Sequence, residues 1–357
     1  MSKAKYTEDS YEQALIALFR DELGYSYIYG PDIERDYRQP CYVPALEEAI
    51  RRINPTLPAE ALDEALRRIL HATDSTLIQS NEAFMHDLQD GLELPYVVNE
   101  EERTEIVQLI DYANPANNTF HIANQWRVEG HDAIRCDMVV FINGLPLVVI
   151  ELKSPSEEGV TVHDAYLQIR NYQLKAPDLF TYNAFNVISD MGLTFAGTIT
   201  ADEERYMEWK SRDGIYEDKD HVSYDTFFHG IFPKERLLDI IHNFICFDHR
   251  EGRAAKILAG YHQYFAVNRA LKRTYDAVNG DGKNRCVLAH ARFGQIALDG
   301  LPCASARSSF PRINNRGSHR PQRPRRPVVR SVQPLFGLLA SDAATGELQS
   351  RTRRLAP

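Results

Sequence analysis

Cysteine is scarce and scattered: Cys41, Cys136, Cys246, Cys286 and Cys303 form no CxxC pair and have no spacing that metal ligation would use. A disulfide framework and a zinc knuckle are therefore excluded as the basis of the fold. The five read as reduced cytosolic thiols, mostly small core residues. No apolar run approaches the roughly 18 residues of a membrane-spanning helix, and the N-terminus MSKAKYTEDSYEQ lacks the apolar stretch of a secretion signal. The expectation is a cytoplasmic chain with no membrane partner. Lysine is absent after Lys283, and the stretch from Arg285 to the end holds 13 Arg against 3 acidic residues, a charge of +10. With a net charge of −9 for the whole chain, the first 284 residues carry −19. Such a body repels polyanions, so DNA would need a local basic groove, a divalent cation or a partner subunit to approach it.

What is present is long enough, at 357 residues, for two domains. Residues 9 to 23 have helical spacing, with Asp9 or Ser10 as cap and Gly24 as stop. YSYIYG reads as a strand, residues 43 to 55 and 58 to 69 as helices, and the alternation from Leu92 to Asp111 as strands of a mixed sheet. After the turn NPANN come three strands, FHIANQWRVEG, CDMVVFI and LPLVVIELK, the last two joined tightly by Asn143-Gly144. Val162 to Leu174 is a helix and FNVIS a strand returning to the sheet. The order implies an α/β domain with a central mixed sheet flanked by helices. Helical spacing resumes over 234 to 246 and 256 to 278, and beyond Gly282 the Arg, Pro, Ser and Gly content of a disordered tail takes over. The expected organisation is a first domain over 1–230, a helical linker over 231–284 and the tail over 285–357.

Cleaving a phosphodiester with a metal ion requires carboxylates that fix the ion and leave it open positions, plus a group that orients water. The hairpin supplies them. Asp137 opens one strand and Glu151 closes its neighbour, so residues 14 apart in sequence come together. Glu151 and Lys153 share a strand face, and the carbonyl of Leu152 between them can reach the same ion. Lys153 would orient the water or stabilise phosphoryl charge, with its role as a base left open. Gln168 and Tyr172, four apart on the next helix, address one patch beside this face and can hold a DNA phosphate or the water at Lys153. As isolated text, Glu-x-Lys describes most solvated strand edges. Here it ends VVIELK, an apolar run that reads as buried, where two charges must meet something.

Four stretches, FINGLPLVVIELKSP, AYLQIRNYQLKAPDLFTYNAFNVISD, TADEERYMEWKS and KILAGYHQYFAVNRA, resemble the N-terminal nuclease part of the motor and restriction (HsdR) subunit of type I restriction enzymes, over roughly residues 8 to 284. The resemblance implies a restriction-endonuclease-like PD-(D/E)xK fold, Mg²⁺ as cofactor, double-stranded DNA as substrate, and methylation and specificity subunits as partners. It places the metal-binding aspartate on Asp137, the second acidic ligand on Glu151, the lysine on Lys153 and the supporting pair on Gln168 and Tyr172. Cys136 stands where the motif name has proline, a position that shapes the strand entry and does not bind metal. A further acidic ligand from the first helix would be Glu12. The stretch MGLTFAG is less basic than the family's usual text there.

The resemblance also implies a helicase-like ATPase next, with Gln263 as the adenine-recognising glutamine at its entry. A phosphate-binding loop needs GxxxxGK[ST], and this chain reads NRCVLAHARFGQIALDG instead. The Arg- and Pro-rich text that follows reads as an out-of-frame translation, and a frameshifted or truncated member with its break near residue 284 is expected. The function expected is the Mg²⁺-dependent endonuclease part of a restriction subunit without ATP-driven translocation. Its alternatives are a free-standing DNA repair nuclease and a catalytically idle DNA-binding or subunit-docking module. Adenine contacts alone do not offset the burial of a triphosphate. Calorimetry on the full chain is therefore expected to show no ATP binding tighter than about millimolar, roughly 4 kcal/mol. Phosphate release with linear DNA present should show no turnover.

Overall fold

The computed structural model describes residues 7–71, 76–98, 101–154, 159–217, 223–249, 252 and 254–279; the expected disordered tail, with Cys286 and Cys303, lies outside them. The elements are α1 (Glu8–Ala17), β1 (Ser26–Tyr29), α2 (Val43–Ile53), α3 (Ala59–Leu70), α4 (Leu77–Asp90), β2 (Leu92–Val98), β3 (Glu101–Val107), β4 (Phe120–Glu129), β5 (Ala133–Ile142), β6 (Leu145–Leu152), α5 (Val162–Lys175), α6 (Pro177–Thr181), β7 (Phe185–Ser189), β8 (Thr194–Gly197), α7 (Tyr224–Ile231), α8 (Lys234–Asn243), β9 (Ile245–Asp248), β10 (Ala255–Leu258) and α9 (Tyr261–Asn279). The described residues fall into two units, one ending at Tyr261 and one beginning at His262. The expected boundary after residue 230 falls within the first.

The first unit is built on a six-stranded sheet in the order β1-β4-β5-β6-β7-β8. β1 runs parallel to β4 and β6 to β7, and the other pairs are antiparallel. The mixed sheet flanked by helices is thus as the sequence implied. Parallel neighbours need a crossover, and α5 supplies it between β6 and β7. Thr161 caps α5 in a reciprocal box with Asp164. One sheet face packs Trp126, Phe141 and Val149 against Ala165, Ile169 and Tyr172 of α5. Phe19 meets Tyr25, Phe228 and Phe232 edge-on, joining the π-helical turn that extends α1 to α7 and its C-terminal end.

Four expectations need correction. Thr7, not Asp9 or Ser10, caps the first helix, its hydroxyl accepting from the Ser10 N–H. β2 and β3 form a two-stranded sheet of their own instead of joining the mixed sheet. The helix begun at Lys234 stops at Asn243, and Ile245 starts a strand. KIL at 256 to 258 is not helical but pairs with β9, and helix begins only at Tyr261, after Gly260. A short apolar run fits either period, and the hairpin partner decides it here.

The β5–β6 hairpin sets up the site. Asn143 and Gly144 both have positive φ, 53° and 77°, as the mirror-image turns of tight hairpins require. Gly144 also lies so close to Tyr42 and Leu46 that a Cβ would sit 2.4 Å from the Tyr42 carbonyl oxygen. The buried Asn143 amide donates to the Leu109 carbonyl and accepts from the Thr119 N–H at 2.9 and 2.8 Å. The register is Phe141 opposite Pro146, but then Val140 opposite Val148, so Leu147 is an extra residue in β6. Its carbonyl accepts from the Ala184 N–H at 2.7 Å and from the Asn183 amide at 3.4 Å.

Asn183 belongs to a buried network. The Asn81 amide on α4 donates to the carbonyls of Phe180, Thr181 and Asn183, and its oxygen accepts from Lys256 Nζ at 2.8 Å. Nζ also donates to the Asn183 carbonyl at 2.6 Å. Burial pushes the Lys256 ammonium well below its ordinary pKa. The unfolded chain then binds more protons than the folded one between that lowered value and about 10.5, so stability rises with pH across this window. Urea unfolding of Lys256→Met is expected to lack that alkaline gain. Lys256→Ala should cost about 1–3 kcal/mol by leaving the Asn81 oxygen without a donor.

Candidate active site

The bulge at Leu147 shifts the register so that Met138 faces Ile150, and one step further Asp137 stands opposite Glu151. The Leu152 N–H donates to Asp137 Oδ2 at 2.8 Å, and Lys153 Nζ donates to Glu151 Oε1 at 2.8 Å. Glu151 is 2% exposed and its Oε2 is buried with no hydrogen-bond partner among the described residues. The three residues are therefore brought together as expected. For Leu152 it is the N–H that is seen to engage the cluster.

The electrostatics follow from crowding two carboxylates away from water. Burial first, then the Asp137 charge, push Glu151 well above the usual carboxylate range, against the pull of Lys153. Burial raises the Asp137 pKa to about 6, opposed by the Leu152 N–H and aided by the charge on Glu8. For Lys153 burial pulls downward, but the Glu151 carboxylate more than compensates and the pKa is raised. The Lys153 ammonium, paired to Glu151 Oε1 at 2.8 Å, lies where it can also donate to an anion. A hard divalent cation fits this donor set: oxygen-only ligands, two adjacent carboxylates and a buried carboxylate oxygen without a donor.

Glu12 on α1 is buried, and its carboxylate is clamped by Asn124 Nδ2 at 2.7 Å and Gln125 Nε2 at 2.8 Å. Its charge still bears on Asp137. Glu8, one turn earlier on α1, acts on both Asp137 and Lys153 and was not anticipated, although its spacing of four from Glu12 is legible. α1 is docked by Tyr11, whose hydroxyl meets Ser189 Oγ at 2.7 Å, beside the point where the Lys153 N–H donates to the Ser189 carbonyl. Gln125 also gave no sequence signal. It has φ 53°, a left-handed conformation uncommon for a residue with a side chain, and alternation slips there: Ala123 and Trp126, three apart, join the same core cluster. Gly30 makes room for it, since a Cβ there would lie 2.8 Å from the carbonyl oxygens of both Asn124 and Gln125.

Gln168 and Tyr172 line, with Asp137 and Glu151, a cleft of about 520 Å³. Tyr172 differs from expectation: its hydroxyl donates to the Arg135 carbonyl at 2.7 Å, so it fixes the strand beside Asp137 instead of offering itself to a phosphate or a water. Gln168 bonds to the Tyr172 side chain. Arg127, Ala133, Ile134, Arg135, Asn171 and Lys175 complete the wall, and none was foreseen. Gln263 lies on α9, in the second unit. A separate group, Glu22, Asp225 and His229, also holds potential ligand atoms within 4.8 Å of one another. Its members pair among themselves and with Arg212, which reads as an ion-paired junction between the π-helical turn and α7.

Residues 5–205 match the family model described as Type I restriction enzyme R protein N terminus (HSDR_N). This chain belongs to that family. The chain is 32% identical over 311 residues to the Type I restriction enzyme HindI endonuclease subunit of Haemophilus influenzae, covering 82% of this chain and 29% of that protein. A Methanocaldococcus jannaschii relative is 31% identical over 303 residues, 77% of this chain and 28% of its own length. The Type I restriction enzyme EcoprrI endonuclease subunit of Escherichia coli is 31% identical over 207 residues. The chain thus spans less than a third of the length of the first two relatives. No helix among the described residues is long and apolar enough to cross a membrane.

The packing at Gly30 makes a test of the Glu12 clamp. Gly30→Ala forces its Cβ against two backbone carbonyls of β4 and is expected to lower stability by about 1–3 kcal/mol in urea unfolding. Alanine at the roomier Gly159, where a Cβ meets nothing within 4 Å, gives the comparison, with only the φ of 86° to strain it.

Proposed function

We propose that this chain is the Mg²⁺-dependent endonuclease part of a type I restriction enzyme R subunit, hydrolysing phosphodiester bonds of double-stranded DNA. The observation that carries the reading is the buried Glu151 oxygen without a donor, set beside Asp137 and an ion-paired Lys153. Asp137 and Glu151 would hold the ion, with the Leu152 carbonyl and Glu12 as further oxygen donors near it. Bound there, the ion supplies charge to a phosphoryl oxygen and lowers the pKa of attacking water. Lys153 donates its ammonium to the phosphoryl oxygens, where negative charge develops. Tyr172 and Gln168 hold β5 at the depth that keeps Asp137 opposite Glu151. Glu12, already gripped by two amides, stays in place when the charges around it change.

In this reading ATP-driven translocation is not an activity of residues 1–357, which contain no GxxxxGK[ST]. Methylation and specificity subunits are the partners that would bring DNA to it, and Gln263 on α9 would be the adenine-side residue at the entry to the ATPase that R subunits of this family carry.

Nicking of a supercoiled plasmid, with Mg²⁺ and with EDTA, tests the reading. Asp137→Ala and Lys153→Ala are each expected to lose activity by about 100-fold or more, with thermal midpoints near that of the parent chain. Cleavage that persists in EDTA, or full activity in either variant, would sink it.

A further inference from the structure

We infer that Arg127 and Arg135 form a clamp for a DNA backbone phosphate next to the one being cleaved; this deepens the nuclease reading and rests on it. The two arginines face each other directly across β4 and β5. Like charges in directly opposed positions, with Cβ atoms about 4.5–5.5 Å apart, destabilise a sheet, so such a pair calls for an anion. Both line the cleft that contains Asp137 and Glu151. Arg135 precedes Asp137 by two residues on β5, about 7 Å along the strand, which puts its guanidinium within reach of the adjoining phosphate.

The surroundings separate the pair from an ordinary solvated edge. The Arg135 side chain is exposed and has no ion-pair partner among the described residues, while its backbone is pinned by the Tyr172 hydroxyl. Arg127 is braced by Glu129 at 2.6 Å and lies over the Tyr37 ring, 5.0 Å from its centroid. A third guanidinium, that of Arg35, lies 5.1 Å from the same ring and donates to the Arg127 carbonyl, adding positive charge behind the pair. Asn171 and Lys175, one turn apart on α5, line the same cleft, with Lys175 paired to Asp132 at 3.0 Å. In a body carrying −19, the opposed pair, with Arg135 exposed, supplies local positive charge for DNA contact. A guanidinium fork offers two parallel donors to one phosphate, and two forks side by side on one sheet face can grip the same phosphate together.

Fluorescence anisotropy with a labelled duplex oligonucleotide in EDTA, at several salt concentrations, isolates this contact from cleavage. Arg127→Ala and Arg135→Ala are each expected to weaken binding about tenfold and to reduce the slope of log K against log salt by about 1. Arg135→Lys, which keeps the charge, should keep the slope. The thermal midpoint of Arg135→Ala should be unchanged or higher, because an opposed positive charge is removed, which excludes unfolding as the cause. Unaltered slopes in both alanine variants, or no duplex binding by the parent chain, overturn the clamp. Parent nicking with unaltered slopes overturns the clamp alone, whereas slope losses without any Mg²⁺-dependent nicking overturn the nuclease reading and leave a DNA-phosphate contact.

Discussion

Two carboxylates set opposite each other in neighbouring strands, both withdrawn from water, repel at short range and are each poorly solvated. Much of the surrounding structure bears on that arrangement. Lys153 neutralises one oxygen of Glu151, the Leu152 N–H engages one of Asp137, and the hydrogen-bonding capacity that remains faces a cleft rather than the core. Arg127 and Arg135 face each other across β4 and β5, with Arg135 two residues from Asp137 on β5, so positive charge lies beside the carboxylates on the strand they share.

Rigidity comes from the periphery. The extra residue of β6 is held from behind by Ala184 and Asn183, and Asn183 in turn by Asn81 and the buried Lys256. α4 and the β9–β10 hairpin thereby contribute to the geometry of carboxylates that they do not touch. On the other side Tyr11 and Ser189 fix α1, and α1 delivers Glu12 to two amides of β4. Satisfied polar networks of this kind specify one arrangement where apolar packing alone would tolerate several.

The central hairpin and its charged end were legible because Asn-Gly is a strong turn signal and because charge at the end of a long apolar run is hard to place elsewhere. The family's motif spacing pointed to Gln168, Tyr172 and Glu12, although not to what each side chain touches. α4 escaped notice because Ser80 and Asn81 sit on its buried face and interrupt the apolar stripe; Asn81 is there for its hydrogen bonds, which no hydrophobic period records. Gln125 and the bulge at Leu147 were equally silent, since neither a left-handed glutamine nor an inserted leucine has a residue signature. Arg127 and Arg135 each read as solvated strand charges, and only the register makes them a pair.

All eight residues of β6 are buried. In most strands a slip of one residue turns apolar side chains out to water, and that cost corrects the error. Here both faces are covered, and the run from Leu145 to Ile150 is apolar at every position, so a slipped β6 would place one apolar residue where another belongs. The core would scarcely register the mistake, yet Glu151 would turn from the cleft to the opposite face. Hydrophobicity cannot proofread this strand; the turn at Asn143-Gly144 and the carbonyl of Leu147 keep its reading frame.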